Sequence, residues 1–424
     1  MQKPYHTVRA RFLRADERPF SSETPETPFV IEPLRFSDGA FLSDFLSWES
    51  EQIICDLATY GALLLRGFQI DSMNEFERQI LAIRGMDAID EVLMSEPGRT
   101  LVEGTRCVFH TNTLIKTGGT LSFGGFHTEN YYVADVPGVI SFFCLKPSWQ
   151  GGETGLLNTA RLYSALPDAL KQALEAKAFS VSRESLVSIA NRYDLMLPEI
   201  EEFCIKHDLS VVDHETGKQM VLYKPSVLVH PVTGERSLAI NFTGELGRVG
   251  FVPILREAFL SDYSGMRWAI HRASWRHPGL VQAGENLRTI ILRPKVALPI
   301  LVKQWLAWLR KSQTIAPKAQ EAETIGSIFT ETDVRLVARL MRRYYSAFRW
   351  EKGDILIIDN LKMAHAGMPG FGRRNLKVII SNRINMPCSS NGGGVYAPAT
   401  NERSESFGAK LRTLEKRRKL NCRE

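Results

Sequence analysis

Four short apolar segments constrain the fold of this chain more than any other feature. They are GALLLRGFQI (61–70), VISFFCL (139–145), GDILIID (353–359) and LKVIISNR (376–383). Apolar runs of this length are typical of strands buried inside a protein. The sequence from about 246 to 345 instead has helical patterns, so we predict strands near both ends of the chain with helices between them.

Two local patterns predict how some of these strands continue. After the first segment, Asp71 or Ser72 can cap an amphipathic helix in which Phe76, Ile80 and Ile83 share one face. Further on, YKPSVLVHPVTGERSLAINF (223–242) alternates around the turn PVTGE and predicts a hairpin.

Composition and charge indicate a soluble globular protein. Of the 424 residues, 44% are hydrophobic and 24% are charged, which are ordinary values. The net charge of +6 comes largely from the run KLRTLEKRRKL (410–420). We interpret this run as a solvated terminal helix, with nucleic-acid or membrane contact as the alternative.

Cysteine spacing and hydropathy predict the cellular compartment. The six cysteines show no CxxC spacing, and the N-terminus lacks the apolar core of a signal peptide. The longest apolar stretch, VALPILVKQWLAWL (296–309), is broken by Lys303 and Gln304. We therefore predict reduced thiols, a cytoplasmic location, no membrane span and no nucleic-acid partner.

The length allows two or three domains, or one large β fold with insertions. Residues 1–35 are rich in Pro, Ser, Thr and Glu and are predicted to form a loose N-terminal arm. Residues 389–424 are predicted to be a flexible linker followed by the basic tail. The helical region contains a stripe that we expect to pack on the core, with a lid or partner-binding role as the alternative; its members are Leu298, Leu301, Val302, Trp305 and Leu309.

Three side chains are candidates for a metal site. His127 and Glu129 lie in GGFHTEN (124–130), two positions apart, so on a strand they would point to the same face. This pair alone is a weak signal, since an ordinary strand can carry it. A second segment (352–383) adds His365, expected in the turn after the strand 354–359. Two histidines and one carboxylate form the facial ligand set of non-haem Fe(II) oxygenases.

Several sequence blocks together resemble one known family. They are YGALLLRGF (60–68), FHTEN (126–130), FFCLKPSWQGGETGLLNTARLYSALP (142–167), YKPSVLVHPVTGE (223–235) and RWEKGDILIIDNLKMAHAGMPGFGRRNLKV (349–378). The chain resembles the TauD/TfdA-type superfamily of Fe(II)/2-oxoglutarate-dependent dioxygenases, in particular its HxE branch of clavaminate synthase-like and amino-acid hydroxylase-like enzymes.

The resemblance implies a mainly β fold with α-helices. Its core is a double-stranded β-helix, or jelly-roll, with surrounding helices. Residues 36–388 would then form a single catalytic domain, and a helical insertion would occupy about 246–325.

The resemblance also implies roles for individual residues. His127, Glu129 and His365 would bind Fe(II), and Arg374 would pair with the distal carboxylate of the cosubstrate 2-oxoglutarate. A guanidinium suits this role because it binds a carboxylate bidentately and stays charged. Thr154 would donate a hydrogen bond to the same carboxylate, whereas Arg373, of opposite strand parity, would point away.

Two positions narrow the expected chemistry. The carboxylate at Glu129 excludes the halogenase type of site, in which a small residue stands there. Family members that act on small sulfonates carry a second arginine four residues after the first, but this chain has Val378, so a taurine-like substrate is not expected. HDLSVVDHE (207–215) is predicted to be solvent-exposed rather than a metal cluster.

The expected function is hydroxylation or desaturation of an amino acid or peptide-like metabolite in specialised biosynthesis. O₂ would be consumed, and succinate and CO₂ released. A basic, amphipathic insertion is also compatible with an acidic carrier protein as partner. Two alternatives stay open: a non-catalytic metal or small-molecule binding protein on the same scaffold, and a metal-dependent hydrolase. A fixed cation at Arg374 favours the oxygenase.

Overall fold

The computed structural model describes residues 5–89, 101–111, 125–215, 217–242, 246, 249–277, 287, 302, 323–372, 374–398 and 407–421. Eleven α-helices lie within these ranges: α1 Gly39–Trp48, α2 Ser50–Tyr60, α3 Met73–Ala82, α4 Thr159–Ser164, α5 Asp168–Glu175, α6 Leu186–Tyr193, α7 Leu197–Lys206, α8 Val252–Leu260, α9 Ala269–Arg276, α10 Glu331–Tyr344 and α11 Phe407–Asn421.

The same ranges contain eighteen strands. Those before the middle of the chain are β1 Val8–Phe12, β2 Phe29–Pro33, β3 Ala62–Leu65, β4 Phe109–His110, β5 Asp135–Lys146, β6 Gln150–Gly151, β7 Thr154–Asn158, β8 Phe179–Ser185 and β9 Ser210–Val212. Those after it are β10 Gln219–Lys224, β11 Val227–Val229, β12 Arg236–Leu238, β13 Tyr345–Phe348, β14 Ile355–Asp359, β15 Met363–Gly367, β16 Gly370–Phe371, β17 Asn375–Asn385 and β18 Val395–Tyr396.

The largest sheet has seven strands in the order β1-β2-β3-β14-β5-β17-β4, and we call it the major sheet. Its central strands pair antiparallel, with Leu356 opposite Leu64 on one side and Phe142 on the other. The four apolar segments seen in the sequence supply β3, β5, β14 and β17. Their prediction as buried strands is confirmed.

A three-stranded minor sheet, in the order β13-β7-β15, faces the major sheet. One buried cluster contains residues of both sheets, among them Leu156 and Phe348 from the minor sheet and Leu356 and Val378 from the major sheet. Two facing sheets with apolar side chains between them are the core of a double-stranded β-helix. The predicted jelly-roll core is confirmed.

Both faces of the major sheet are buried, which explains its continuous apolar strands. In β3, Leu64 points toward the minor sheet, whereas Leu63 and Leu65 join a second cluster with helices α1 and α3. Because successive strand residues alternate between faces, a strand covered on both sides favours apolar residues at every position. Helix α3 begins with the predicted cap: Ser72 and Glu75 form a capping box, and Phe76 and Ile80 are buried.

The predicted loose N-terminal arm, residues 1–35, contains two strands. Residues 8–12 and 29–33 form strands at the edge of the major sheet, with β2 parallel to β3 and β1 antiparallel to β2. Val30 and Ile31 are fully buried there. Short strands separated by polar residues resemble a loop in composition, but this pair extends the sheet.

The C-terminal region is also more ordered than expected. Residues Val395–Tyr396 pair with β11, and Leu411 of α11 is 1% exposed, in a cluster with residues of α6 and α7. A flexible linker therefore does not describe residues 389–398. The basic run does lie on a helix, as predicted.

The predicted helical insertion lies largely outside the described residues. Helices α8 and α9 fall at its start, whereas four members of its apolar stripe, Leu298, Leu301, Trp305 and Leu309, lie outside the described ranges. The fifth, Val302, is helical and 51% exposed. None of the helices that the structure describes combines the length and apolar character needed to cross a membrane.

Candidate metal centre

The backbones of His127 and His365 are paired directly. The His127 amide donates to the His365 carbonyl over 3.1 Å, and the His365 amide donates to the His127 carbonyl over 2.9 Å. Residues paired in this way project their side chains from the same face. The two imidazole centroids accordingly lie 4.6 Å apart.

His365 lies inside strand β15 rather than in a turn, which corrects the expectation from the sequence. Its neighbour on β7 is Leu156, and its ring contacts Phe142 of the major sheet at a centroid distance of 5.4 Å. The imidazole therefore points into the space between the two sheets, where it is 6% exposed.

Glu129 reaches the same place from a turn that follows His127. Its carboxylate Oε2 lies 3.5 Å from Nε2 of His365, and the residue is 1% exposed. One ligand atom from each of His127, Glu129 and His365 lies within 4.8 Å of the others. The structure thus brings together all three residues proposed as metal ligands.

The chemistry of these donors suits a divalent transition metal. Two imidazoles and one carboxylate on one side of an ion form the facial triad of Fe(II) oxygenases, which leaves the other coordination positions open. Nδ1 of His127 lies 3.1 Å from the Gly125 carbonyl oxygen. A proton on Nδ1 that donates to this carbonyl leaves Nε2 as the metal ligand, as is usual for histidines at metal sites.

Arg374 lies on the same face of the minor sheet as the His365 imidazole. A Cβ atom built on Gly367 would lie 3.4 Å from Nη2 of Arg374. His365 and Gly367 are two residues apart on β15, so their Cβ directions agree and their positions differ by about 7 Å. A five-carbon dicarboxylate can bridge such a distance between the guanidinium and the triad.

The guanidinium of Arg374 is held by backbone oxygens. Its Nη1 donates to the carbonyls of Gly152 and Glu153 over 2.6 and 3.1 Å. Within the described part of the chain, no carboxylate forms an ion pair with it. Burial lowers the pKa of this group, but a guanidinium stays protonated in proteins. It is therefore a positioned cation suited to an anionic ligand.

Thr154 is placed beside this cation. It lies directly opposite Gly367 in the pairing of β7 with β15, so its side chain shares their face. Its hydroxyl oxygen accepts a hydrogen bond from the Trp350 indole over 3.1 Å, and both residues are buried. Because the hydroxyl already accepts here, its own proton is available to donate to a ligand. No pattern in the sequence indicated this contact of Trp350.

Glycines in the GGET turn allow the chain to come close to Arg374. Gly152 has a φ of +69°, and a Cβ there would lie 2.2 Å from Oγ of Ser148. Its amide donates to the Pro369 carbonyl over 2.8 Å, which joins this turn to the strand before Arg374. Only glycine adopts this backbone without strain. Arg373, predicted to point away from the site, lies outside the described residues.

Glu153 is a buried carboxyl group that the sequence did not suggest. It precedes Thr154 and so projects from the opposite face of the minor sheet, where it is 3% exposed. Its Oε2 has no hydrogen-bond partner among the described residues. Burial raises the pKa of Glu153 to about 7, and the nearby positive charges of Arg349 and Arg374 offset only part of this effect.

Other histidines take structural or surface positions. His230, for which no partner was predicted, is 3% exposed, and its Nε2 lies 2.7 Å from Oδ2 of Asp359. Its Nδ1 accepts from the amides of Val232 and Thr233, so Nε2 is the donor to Asp359. His214, in the segment predicted to be solvent-exposed, is exposed.

Polar and apolar side chains flank the triad. Asn241 pairs with His127 on the side opposite His365, so its carboxamide shares their face, and it donates to the hydroxyl of Tyr132. Val378 is fully buried between the sheets and lies opposite Phe142. The site therefore combines a polar edge at Asn241 with an apolar wall at Val378.

Comparison with known proteins decides the family. Residues 26–263, more than half of the chain, match the sequence profile described as "Taurine catabolism dioxygenase TauD, TfdA family". The chain belongs to the TauD/TfdA family of dioxygenases. As a member of this family it is an Fe(II)/2-oxoglutarate-dependent oxygenase that uses O₂ and acts on a small molecule.

One curated relative of this TauD/TfdA-family dioxygenase is the dapdiamide synthesis protein DdaC of Enterobacter agglomerans. The two are 22% identical over 376 residues, which cover 87% of this chain and 94% of DdaC. The match thus extends over nearly the whole of both proteins.

Solved structures of similar proteins include PvcB of Pseudomonas aeruginosa, with 13% identity and a TM-score of 0.43 over 88% of this chain and 91% of that one. PvcB is described as an Fe, alpha-ketoglutarate dependent oxygenase from an isonitrile synthetic pathway. A taurine dioxygenase from Burkholderia xenovorans has 13% identity and a TM-score of 0.46, over 96% of this chain and 100% of that one.

Proposed function

We propose that this dioxygenase hydroxylates or desaturates an amino acid or peptide-like metabolite in specialised biosynthesis. In this proposal His127, Glu129 and His365 hold Fe(II), while Arg374 and Thr154 hold the distal carboxylate of 2-oxoglutarate. When bound, the metal, cosubstrate and O₂ together supply the oxidising power needed to attack an unactivated C–H bond.

The observation that carries the proposal is the convergence of the three ligand side chains. His127 and His365 are more than two hundred residues apart in the sequence, yet their backbones pair and their ligand atoms lie within 4.8 Å of one another and of Glu129. The protein contributes the orientation of these donors and a site between two apolar sheets that limits the access of water.

Arg374 and Thr154 orient the cosubstrate in this proposal. The guanidinium is fixed by two backbone carbonyls, and the hydroxyl is fixed by the Trp350 indole. Both groups are therefore in place before the ligand arrives, which reduces the entropic cost of binding. Neither a metal-dependent hydrolase nor a non-catalytic metal-binding protein on the same scaffold needs such a pair.

The nature of the substrate is supported by the flanking residues. Val378 lines an apolar wall where sulfonate-oxidising relatives carry an arginine, so an anionic substrate of that kind has no partner there. Asn241 and Tyr132 offer neutral polar groups next to His127, which suit the amide, amine or hydroxyl of an amino acid derivative. The name of DdaC, a dapdiamide synthesis protein, supports a biosynthetic role.

Two finer predictions belong to the same proposal. Delivery of the substrate on an acidic carrier protein would use the basic insertion, and turnover of a free amino acid without any carrier would contradict it. A cytoplasmic location is compatible with the free thiols of Cys55, Cys107, Cys144, Cys204 and Cys388.

Anaerobic titration with Fe(II) and 2-oxoglutarate tests the proposal. We expect the visible charge-transfer band of a metal-bound 2-oxo acid in the parent protein, and no band when both His127 and His365 are replaced by alanine. Folded parent protein that binds Fe(II) but develops no band with 2-oxoglutarate would refute the oxygenase. Succinate release with a panel of amino acids and dipeptides then tests the substrate class.

Arg374→Lys tests the cosubstrate site separately from the metal. A charged hydrogen bond contributes about 1.5–3 kcal/mol, so loss of the bidentate contact should raise the Kd for 2-oxoglutarate about 10- to 100-fold. Fe(II) affinity should not change. Arg383→Lys, within the strand β17 that follows Arg374, is the matched control and should leave both affinities unaltered.

A further inference from the structure

Glu129 is not held by a strand. The pairing that fixes His127 ends at Thr128, whose amide is 3.4 Å from the Ile240 carbonyl, and the chain then turns through Asn130 at a φ of +56°. A carboxylate on such a turn needs another support if it is to approach a metal from one fixed direction.

Asn360 supplies this support from the other side of the site. The amide of Glu129 donates to Oδ1 of Asn360 over 2.7 Å, and Nδ2 of Asn360 lies 3.3 Å from the Glu129 carbonyl oxygen. The same Nδ2 donates to the Pro137 carbonyl over 2.8 Å. The carboxamide therefore bonds both polar groups of the Glu129 backbone, as the backbone of a neighbouring strand would.

Asn360 is itself firmly fixed. It is 2% exposed, its own amide donates to the Gly138 carbonyl over 2.9 Å, and it lies in the turn between β14 and β15. Strand β15 carries His365 five residues later. Asn360 thus joins the segment that presents one histidine to the segment that presents the carboxylate.

A second buried side chain fixes the chain just after Glu129. Lys224 is 2% exposed, and its Nζ donates to the carbonyls of Tyr131 and Val133 over 3.0 and 2.7 Å. Lys224, Glu129 and Asn360 line one small cavity. With the turn anchored downstream by Lys224, the orientation of Glu129 itself depends on Asn360.

We infer that Asn360 is a positioning residue that sets the approach of the Glu129 carboxylate to the metal. This inference rests on the metal site of the proposed function. Partners of metal ligands typically change metal affinity 10- to 100-fold when they are removed. We expect Asn360→Ala to weaken metal affinity within that range, and we expect the whole effect to depend on the presence of Glu129.

A double-mutant cycle of Asn360 and Glu129 tests whether Asn360 acts through Glu129. The Ni(II) affinity of each variant of the full chain is measured by calorimetry. Ni(II) suits the experiment because two imidazoles still bind it when the carboxylate is absent. Asn360→Ala should weaken Ni(II) binding about 10- to 100-fold in the parent protein. In the Glu129→Ala background it should change the affinity by no more than about twofold, the usual scatter for independent sites.

Asn158→Ala is the matched control. Asn158 is also a buried asparagine, 4% exposed, whose side chain accepts a backbone amide, that of Arg161 over 2.9 Å. Its replacement should lower stability without changing Ni(II) affinity. If Asn360→Ala does not fold, Asn360→Ser, which keeps a hydroxyl in the buried position, replaces it in the cycle.

The outcomes separate this inference from the proposed function. Equal losses of affinity in the two backgrounds, or no loss in the parent, would overturn the role of Asn360 while leaving the metal site intact. If the parent protein did not bind Ni(II) at all, the proposed metal site itself would be wrong.

Discussion

Glu153→Gln measures how much a carboxylate buried behind the proposed cosubstrate site lowers the free energy of unfolding. Burial raises the pKa of Glu153 from its ordinary value of 4.5 to about 7. Each unit of pKa difference between the folded and unfolded states corresponds to about 1.4 kcal/mol. Ionised Glu153 should therefore lower the free energy of unfolding by about 3 kcal/mol at a pH well above 7.

The sign of the pH dependence follows from proton binding. Between pH 4.5 and pH 7 the folded protein keeps a proton on Glu153 that the unfolded chain has released. Stability from this group therefore falls as the pH rises through that window. Glutamine has a similar shape and no charge, so Glu153→Gln should match the parent near pH 4.5 and exceed its stability by up to about 3 kcal/mol at pH 8.

Urea unfolding of the metal-free protein at a series of pH values from 4.5 to 8 checks this prediction. Other titrating groups cancel in the difference between variant and parent. Glu51→Gln, which replaces an exposed carboxylate of α2, is the control for the change of glutamate to glutamine itself. A flat difference for Glu153→Gln, or a variant that is less stable at pH 8, would refute the reasoning.

Two further substitutions test contacts around the site. Trp350→Phe removes the indole that donates to the Thr154 hydroxyl. The Kd for 2-oxoglutarate should rise about 2- to 10-fold, which corresponds to the free energy of one neutral hydrogen bond, while Fe(II) affinity stays the same. An unchanged Kd would show that the hydroxyl needs no orientation. Arg66→Met removes the buried partner of Asp354, which it contacts at 2.6 and 3.1 Å, and should lower the free energy of unfolding by about 3–5 kcal/mol in urea. The double variant Arg66→Met/Asp354→Asn should recover most of that loss, and a loss as large as in the single variant would contradict the explanation.

The strands of the core could be predicted from the sequence because burial on both faces leaves a local signal. Leu63 and Leu64 point to opposite sides of the major sheet, and both are fully buried. The edge strands β1 and β2 gave no such signal because they are short and lie among polar residues. Their pairing with β3 depends on contacts that no local pattern records.

The family resemblance identified the three proposed metal ligands, but their geometry could not be predicted. His365 was expected in a turn, since MAHAG has too few bulky residues to indicate a strand. Its register comes from pairing with β7 and with His127. Glu153, Asn360 and Trp350 act through partners that are distant in the sequence, so their roles appear only in the folded chain.

The pairing of His127 with His365 places donors from two distant parts of the chain at one centre. In the unfolded polypeptide the three donors reach one ion only at a loop-closure entropy cost, because more than two hundred residues separate the first from the last. An ion held there binds the native state more tightly than the unfolded chain, so added metal stabilises the native state. In the proposed function, removal of Fe(II) would therefore lower the free energy of unfolding as well as abolish activity.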